Sequence, residues 1–352
     1  MAGHLCTNHR TKGGYAIARL WQRGYLVHAG ILLWATCMLT GCGGAPAIFE
    51  AAGQAAREIN RLWWLLFGLG TAVYLAVMGY LFLALYRRPS STTAENPGWG
   101  GSIRAVIWGG IVLPAVILLI VYGFTVRTLW SLSARAADAE VTIDVIGHQW
   151  WWEVHYPEQS IITANEITIP VGQPVRIRLT SADVIHSFWV PELHGKLDLI
   201  PGRTNTFWLE ADRTGTYWGL CAEFCGTQHA KMRFLVIAVA PSDFATWLAA
   251  QQAPPPAPTT ALAQQGQQLF LDKACARCHA ITGTAANGRL GPDLTHLATR
   301  RTLAAGTLAN TVGNLGGWLI DPQHLKSGNL MPASLLTAEE LQAMLAYLQT
   351  LE

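Results

Sequence analysis

Charged residues are scarce in this sequence. Asp, Glu, Lys and Arg make up 13% of its 352 residues, about half of the roughly 25% that soluble globular proteins contain. The formal net charge is only +2, and no block of Lys or Arg occurs. The sequence therefore lacks the basic patch that a nucleic-acid-binding protein needs, and we expect no nucleic-acid partner. An apolar part of the chain must account for the missing charge.

Two long segments carry no charge at all. Residues 62–86 and 105–126 contain 25 and 22 consecutive uncharged residues. At about 1.5 Å per residue, each helix would exceed the roughly 30 Å of a bilayer's hydrocarbon core. We predict a transmembrane helical hairpin over residues 62–130. Arginines in its connecting loop weakly favour the cytoplasmic side for that loop.

The first 41 residues are typical of a lipoprotein signal peptide. Basic residues precede a short apolar run that ends in Leu39-Thr40-Gly41-Cys42, a pattern similar to the bacterial lipobox. Cys42 would then be lipidated, and residues 42–61 would form an extracytoplasmic segment. The alternative is a short membrane anchor in which this tetrapeptide has no role. The first interpretation predicts a two-pass protein of the bacterial plasma membrane, with both later domains outside the cytoplasm.

The rest of the chain changes pattern twice. Residues 138–240 contain short β-rich runs separated by Gly, Pro and Asp turns, which predicts an all-β sandwich. Residues 241–262 combine a short helix with the Pro-rich linker QQAPPPAPTTALA. Residues 263–352 have helical patterning and no strand pattern. The predicted fold class is therefore multidomain: a membrane hairpin, a β-sandwich and an all-α domain.

Cysteine is also sparse, and every cysteine has a proposed place. Of the seven, Cys6 and Cys37 would leave with the signal peptide and Cys42 would carry lipid. The other four form two pairs, Cys221/Cys225 and Cys275/Cys278. An unassigned thiol would be a hazard in an oxidising compartment, and none remains.

The first pair belongs to the stretch CAEFCGTQHAKM at residues 221–232. Soft sulfur ligands together with imidazole favour copper. Two thiolates on one loop can each bridge two metal ions, so we predict a dinuclear copper centre. The loop also supplies His229 and Met232, and His186 is the candidate for the second imidazole.

Three other interpretations of these residues stay open. Cys221 and Cys225 could form a disulfide, which would leave His229 and Met232 unexplained. A structural zinc ion would need a fourth N or S ligand and rarely takes Met. His186 could simply be a hydrogen-bonded core histidine.

The second pair belongs to CARCH, the C-x2-C-H motif for covalent attachment of haem c. Cys275 and Cys278 would bond the haem and His279 would be the proximal ligand. A zinc ribbon would need a further cysteine pair. Met331, in the loop SGNLMPAS, is the predicted distal ligand, and Met/His ligation raises the haem potential. The rivals are His324 and Met344, whose helical spacing with leucines favours a core position.

Four motifs in order, GHQWWWEVHY, DVIHSFWVPEL, KLDLIPGR and CAEFCGTQHAKM, resemble subunit II of cytochrome c oxidase across residues 60–240. The resemblance implies a cupredoxin fold around the dinuclear copper centre CuA. Its ligands would be the side chains of His186, Cys221, Cys225, His229 and Met232 and the backbone carbonyl of Glu223. The carboxylate of Glu223 would reach a magnesium ion shared with subunit I. Trp150 would be the point at which electrons enter. We expect the tryptophan run at residues 150–152 to lie in a strand, with Trp150 and Trp152 on one face and Trp151 on the other. Residues 263–351 resemble single-haem cytochromes c, in which Pro292 would orient His279.

Two positions depart from the family pattern. Trp151 stands where the family usually has tyrosine, and Ala105 stands where many members have a proton-channel glutamate. No proton role can be carried over to Ala105.

The resemblance implies a proton-translocating cytochrome c oxidase. This chain would pass electrons from its own haem c to CuA and on to the haem of subunit I, where oxygen is reduced. The expected partners are subunit I and the other oxidase subunits, with a cytochrome c or a cytochrome c reductase upstream. Two alternatives remain: the CuA subunit of a nitric oxide reductase, and a membrane copper-delivery protein.

Overall fold

The computed structural model describes residues 30, 46–87, 99–134 and 139–352. Cys42, with almost all of the predicted signal peptide, lies outside the described residues. Side chains at residues 99–102 and 133–134 are likewise not described.

Two long apolar segments of helix follow the N-terminal region. Helix α1 covers Gln54–Tyr86, and the second segment consists of α2 (Trp99–Ile107), a π-helical turn (Trp108–Val112) and α3 (Leu113–Ala134). Gln54–Tyr86 has 33 residues and Ile103–Leu132 has 30, both long and apolar enough to cross a membrane. The prediction of two such helices is confirmed.

The π-helical turn lies where the sequence is least suited to regular α-helix. It contains the Gly109-Gly110 pair, and Pro114 follows it closely. Glycine is flexible and proline cannot donate the backbone hydrogen bond of an α-helix, so a local wide turn is the expected adjustment.

Helix α1 begins earlier than the predicted membrane segment. Its first turns pack on the β-sandwich: the Ala56 amide donates to the Leu193 carbonyl at 3.1 Å, and Arg57 pairs with Asp212. These turns contain charged residues, so a prediction based on absence of charge could not include them. The segment predicted as residues 42–61 is therefore helical from Gln54 onward.

The sandwich domain, residues 141–239, consists of two sheets. Its strands are β1 (Val141–His148), β2 (Trp151–Tyr156), β3 (Ile161–Ala164), β4 (Glu166–Pro170), β5 (Val175–Ser181), β6 (His186–Trp189), β7 (Leu197–Leu199), β8 (Asn205–Leu209), β9 (Gly215–Cys221) and β10 (Arg233–Val239). The strand orders are β3-β2-β1-β5-β8 and β4-β10-β9-β6-β7. Alternating residues point inward from both sheets, as in β5 of the first sheet and β9 of the second, and form one apolar core.

The helical domain, residues 261–352, follows α4 (Pro241–Gln252) and an irregular linker. It consists of α5 (Ala261–Asp272), α6 (Cys275–Cys278), the hairpin β11 (Thr302–Leu303) and β12 (Leu308–Ala309), α7 (Val312–Ile320), α8 (Pro322–Leu325) and α9 (Ala338–Leu348). Helices α5 and α9 cross at Gly266, where a Cβ atom would lie 2.0 Å from the Ala343 carbonyl oxygen. The small hairpin is the one departure from the predicted all-α domain.

The two domains contact each other directly. A carboxylate oxygen of Glu166 on β4 accepts hydrogen bonds from the amides of Arg301 and Thr302, both at 2.9 Å. The Arg233 amide on β10 donates to the Ala305 carbonyl at 3.1 Å. The β11–β12 hairpin therefore lies against the sandwich.

Candidate copper and haem centres

The predicted copper donors meet at one end of the sandwich. Cys221 is the last residue of β9, and His186 is the first of β6, the neighbouring strand. Residues 221–232, the copper loop, return to β10, which pairs with the other edge of β9. Because β6 and β10 flank β9, the folded sheet brings His186 to a loop 35 positions further along the chain.

Neighbouring donor atoms are spaced for shared metal ions. The Sγ atoms of Cys221 and Cys225 are 3.8 Å apart, and Cys225 Sγ lies 3.8 Å from Met232 Sδ. Each thiol also faces an imidazole Nδ1, of His186 at 3.9 Å and of His229 at 3.7 Å. Two ligands of one metal lie less than two bond lengths apart, about 4.3–4.6 Å for the bond lengths typical of zinc sites. All four distances satisfy this limit.

The two loop cysteines are free thiols. Their 3.8 Å separation is well beyond the roughly 2.05 Å of a disulfide bond. The contact between the two thiols lowers the pKa of Cys221 and raises the pKa of Cys225. Metal binding requires thiolates, so binding by both cysteines would release any thiol proton that remains.

Hydrogen bonding selects which nitrogen of His186 faces the metal site. Its Nε2 contacts the Asp183 carboxylate at 2.8 Å, so Nδ1 points toward Cys221. Burial disfavours the charged imidazole, but the contacts with Cys221 and Asp183 outweigh burial and raise the pKa of His186. A carboxylate behind a ligating imidazole fixes its tautomer and raises its basicity. This is the orientation that a ligating imidazole would need at this position.

Glu223 offers two different oxygen donors. Its backbone carbonyl lies 3.2 Å from Cys221 Sγ, at the copper site. Its exposed carboxylate lies 3.4 Å from Lys196 Nζ. With the carbonyl, the donor set numbers six, more than the four ligands that a structural zinc site takes.

Sequence reasoning missed the role of Gly147. A Cβ at this position would lie 2.7 Å from His186 Cδ2, so any larger residue would displace the imidazole. Glycine in a buried strand often marks such a close approach. The glycine in the strand is visible in the sequence, but the sequence does not show that His186 is the residue it contacts.

A cavity of about 690 Å³ lies beside the CARCH motif, lined mostly by the helical domain and on one side by the sandwich. Cys275, Cys278 and His279 all line it, and its size falls within the range of cofactor pockets. The ring nitrogen Nδ1 of His279 contacts the Pro292 carbonyl oxygen at 2.7 Å, leaving Nε2 for a metal. Burial lowers the pKa of His279, which favours the neutral, ligating form.

The three candidates for distal ligand have different environments. Met331 lines the cavity and is half-buried in an irregular segment. Met344 also borders the cavity, but it belongs to α9 and is 1% exposed within the domain core. His324 is exposed and is not among the cavity-lining residues. The geometry favours Met331 over His324 and agrees with a packing role for Met344.

The environment of Arg300 also bears on whether the cavity suits a haem. This arginine is 9% exposed and lines the cavity, and its buried Nε has no hydrogen-bond partner in the described structure. An orphaned buried donor beside a cavity suits an anionic group such as a haem carboxylate. The cavity, the CARCH residues and Arg300 together fit a covalently bound haem. Sequence reasoning did not find Arg300, because its burial depends on contacts with distant segments.

Trp150 lies between the two candidate centres. Its indole Nε1 donates to the Cys225 carbonyl at 3.0 Å, and Gln149 Nε2 donates to the same oxygen at 2.7 Å. Trp150 also lines the cavity of the helical domain. The prediction that Trp150 and Trp152 share one strand face is wrong, because Trp150 lies in the turn before β2. Within β2, Trp152 is buried and Trp151 stacks on His148.

Comparisons with known proteins agree with this two-domain arrangement. Residues 159–239 match the family described as cytochrome C oxidase subunit II, periplasmic domain, and residues 263–352 match the family cytochrome c. The chain is 36% identical to cytochrome c oxidase subunit 2 of Alkalihalophilus pseudofirmus, covering 91% of this chain and 96% of the relative. It is 32% identical to the subunit of the same name from Bacillus sp. strain PS3, covering 90% and 94%.

A solved structure also matches part of the chain. The crystal structure of the periplasmic domain of subunit II of cytochrome oxidase from Bradyrhizobium japonicum is 35% identical to this chain. The match covers 32% of this chain and 94% of that one, with a TM-score of 0.32.

Proposed function

Because the chain belongs to the cytochrome c oxidase subunit 2 family, we propose that it accepts electrons on a haem c and delivers them through Trp150 to CuA. Membership itself makes the protein a subunit of a haem-copper terminal oxidase, an oxidoreductase in which this subunit receives electrons. Its two matched domains imply a copper centre and a haem c. The order of electron transfer and the individual ligands are the proposal.

One observation carries the proposed route. Trp150 lines the cavity of the helical domain and donates a hydrogen bond to the carbonyl of Cys225 in the copper loop. A single side chain thus contacts both candidate centres. The covalent linker adds to this arrangement, since short linkers give effective concentrations around the millimolar range.

The chain's own residues would prepare both centres. His186, Cys221, Cys225, His229, Met232 and the Glu223 carbonyl would hold the copper pair, and Cys275, Cys278, His279 and Met331 would hold the haem. When bound, the two groups supply reversible one-electron storage. Asp183 and the Pro292 carbonyl fix the imidazole rings of His186 and His279. Burial of the two thiols and of Met232 keeps water from the three sulfur atoms.

The proposal extends to membrane topology and partners. The two apolar helices would place both later domains on the extracytoplasmic side of a bacterial plasma membrane, with lipid on Cys42. The exposed carboxylate of Glu223 is the side chain that could reach a magnesium ion shared with subunit I. An upstream cytochrome c or a cytochrome c reductase would supply electrons. Intact-mass analysis tests the anchor: a mature chain should begin at lipidated Cys42, and an unprocessed Met1 would contradict it.

Purification of the native complex tests the function. We expect the largest partner to be a haem-containing subunit I, and the complex to consume oxygen when its haem c is reduced. Oxygen consumption should cease when copper is removed from the sandwich domain and return when copper is restored. A complex that reduces nitric oxide and leaves oxygen untouched would contradict the proposal, as would a chain that purifies alone and releases copper readily.

A further inference from the structure

Lys326 is buried at the junction of the two domains. It is 3% exposed although it is a lysine. Its Nζ donates to three backbone carbonyls: those of Trp150 at 3.0 Å, Lys231 at 2.9 Å and Ala304 at 3.0 Å. Lysines are almost never fully buried without partners, and here the three partners match the three N–H donors of an ammonium group.

The three carbonyls come from three separate segments. Trp150 belongs to the turn between β1 and β2, Lys231 to the copper loop, and Ala304 to the turn of the β11–β12 hairpin. The first two segments belong to the sandwich domain, and Lys326 and Ala304 belong to the helical domain. One ammonium group therefore joins both domains at the point where Trp150 meets the cavity.

Burying the Lys326 amine at the domain junction carries a desolvation penalty. Burial, together with the charge of Lys231 nearby, lowers the pKa of Lys326 to about 7. An apolar side chain of similar length could fill the same space without this desolvation penalty, but it could not bind three carbonyls. The cost indicates that the hydrogen bonds, rather than the volume of the side chain, account for lysine at this position.

Neighbouring contacts extend the same junction. Lys231 Nζ donates to the Leu325 carbonyl at 2.9 Å, and Gln228 of the copper loop donates to the Ser327 carbonyl. The residues on both sides of Lys326 are thus bound to the copper loop. Trp150 is held at two places, its carbonyl by Lys326 and its indole by Cys225.

We propose that Lys326 is a positioning residue that locks the helical domain, Trp150 and the copper loop into one fixed arrangement. The inference rests on the proposed function, in which Trp150 carries electrons from the helical domain to copper. It adds that the helical domain works from a permanently docked position rather than by repeated encounters at the end of a flexible linker. An external electron donor would then have to approach the helical domain, because the docked helical domain covers Trp150.

The test uses the intact complex and the variant Lys326→Met, whose unbranched side chain is one atom shorter and has no donors. Arg289→Met is the matched control, because it removes a charge from an exposed position in the same domain. Amide hydrogen exchange at Arg233 reports docking directly, since this amide donates across the domain boundary to Ala305. Flash-induced transfer from haem to copper, measured in buffers of increasing viscosity, reports whether transfer requires domain movement.

We expect the Arg233 amide to exchange at least about tenfold faster in Lys326→Met and to be unchanged in Arg289→Met, because the loss of the Lys326 hydrogen bonds across the domain boundary weakens docking by about this factor or more. Transfer should be independent of viscosity in the wild type, and slower and viscosity-dependent in Lys326→Met. The copper EPR signal and the haem spectrum should be retained in both variants, which excludes damage to either centre.

Two results would overturn the inference. One is a Lys326→Met complex with the exchange and transfer rates of the wild type. The other, which needs no variant and applies even if Lys326→Met does not assemble, is viscosity-dependent transfer in the wild type. If the wild type passes no electron from haem to copper, the proposed function fails, whereas the exchange measurement still decides whether Lys326 locks the domains.

Discussion

The two candidate centres are built in different ways. The copper centre draws four of its five donor side chains from one twelve-residue loop and the fifth, His186, from an adjacent strand. The haem centre draws on Cys275, Cys278 and His279 in one motif and on Met331, more than fifty positions further along the chain. These residues surround a cavity of about 690 Å³. A loop at the end of two interior strands can preassemble a small metal site, whereas a large cofactor must itself fill the cavity in the core around it.

The histidines show what the two centres share. In each, the second ring nitrogen of the imidazole has a fixed partner, Asp183 for His186 and the Pro292 carbonyl for His279. In each, a glycine lies against the ring: a Cβ would lie 2.7 Å from His186 at Gly147 and 2.6 Å from His279 at Gly291. Both imidazoles are therefore oriented by the protein, whatever the size of the cofactor.

The largest expected effect separates the centres completely. Cys225→Ser should abolish the seven-line mixed-valence EPR signal of the copper pair, because a single remaining thiolate cannot bridge two coppers as a pair. The haem absorbance should remain that of the wild type, since no haem ligand changes. EPR and optical spectra of the same sample provide the measurement. Persistence of the seven-line signal would show that the centre does not depend on two thiolates.

The second prediction concerns the distal side of the haem. Met331→Ala should remove the sulfur-to-iron charge-transfer band and lower the haem potential, because the thioether ligand is lost. Optical spectroscopy and a redox titration measure both.

Met344→Ala is the matched control for this prediction. It should keep the charge-transfer band but destabilise the helical domain by about 2–5 kcal/mol, as truncation of a buried methionine usually does. The exposed His324→Ala should change neither the band nor the haem potential. Loss of the band in Met344→Ala alone would transfer the distal role to Met344.

A smaller effect is expected behind the copper ligands. Asp183→Asn retains an acceptor for His186 but removes the negative charge that raises the basicity of the imidazole. We expect copper affinity to fall by about tenfold, the lower end of the 10- to 100-fold range for such partners. Competition with a chelator measures the affinity, and the exposed Asp243→Asn in α4 is the control. Equal affinities in both variants would remove Asp183 from the account of the site.

The contrast between the centres also explains what sequence reasoning could find. The copper loop and CARCH are local motifs, so spacing alone indicated their chemistry, and the charge-free runs indicated the two long helices. The sandwich followed from its alternating strands and turns. These features depend on residues close together in the chain.

The missed features depend on residues far apart. Gly147, Arg300 and Lys326 have roles only through segments that meet in the folded protein. Trp150 was assigned to a strand because the tryptophan run alternates like one, but the strand begins one residue later. Likewise, the first turns of α1 contact the sandwich through Arg57 and Asp212, two residues that are distant in sequence.

The most direct test of the account is the transfer of electrons from haem to copper in Trp150→Ala. Flash reduction of the haem, followed at haem and copper wavelengths, should show a steep decrease in transfer rate with both centres spectrally intact. Trp151→Ala, which loses the stacking on His148, should mainly reduce stability, by about 0.5–1.5 kcal/mol or somewhat more with the lost burial. An unchanged transfer rate in Trp150→Ala would contradict the account and would mean that electrons reach copper through another surface.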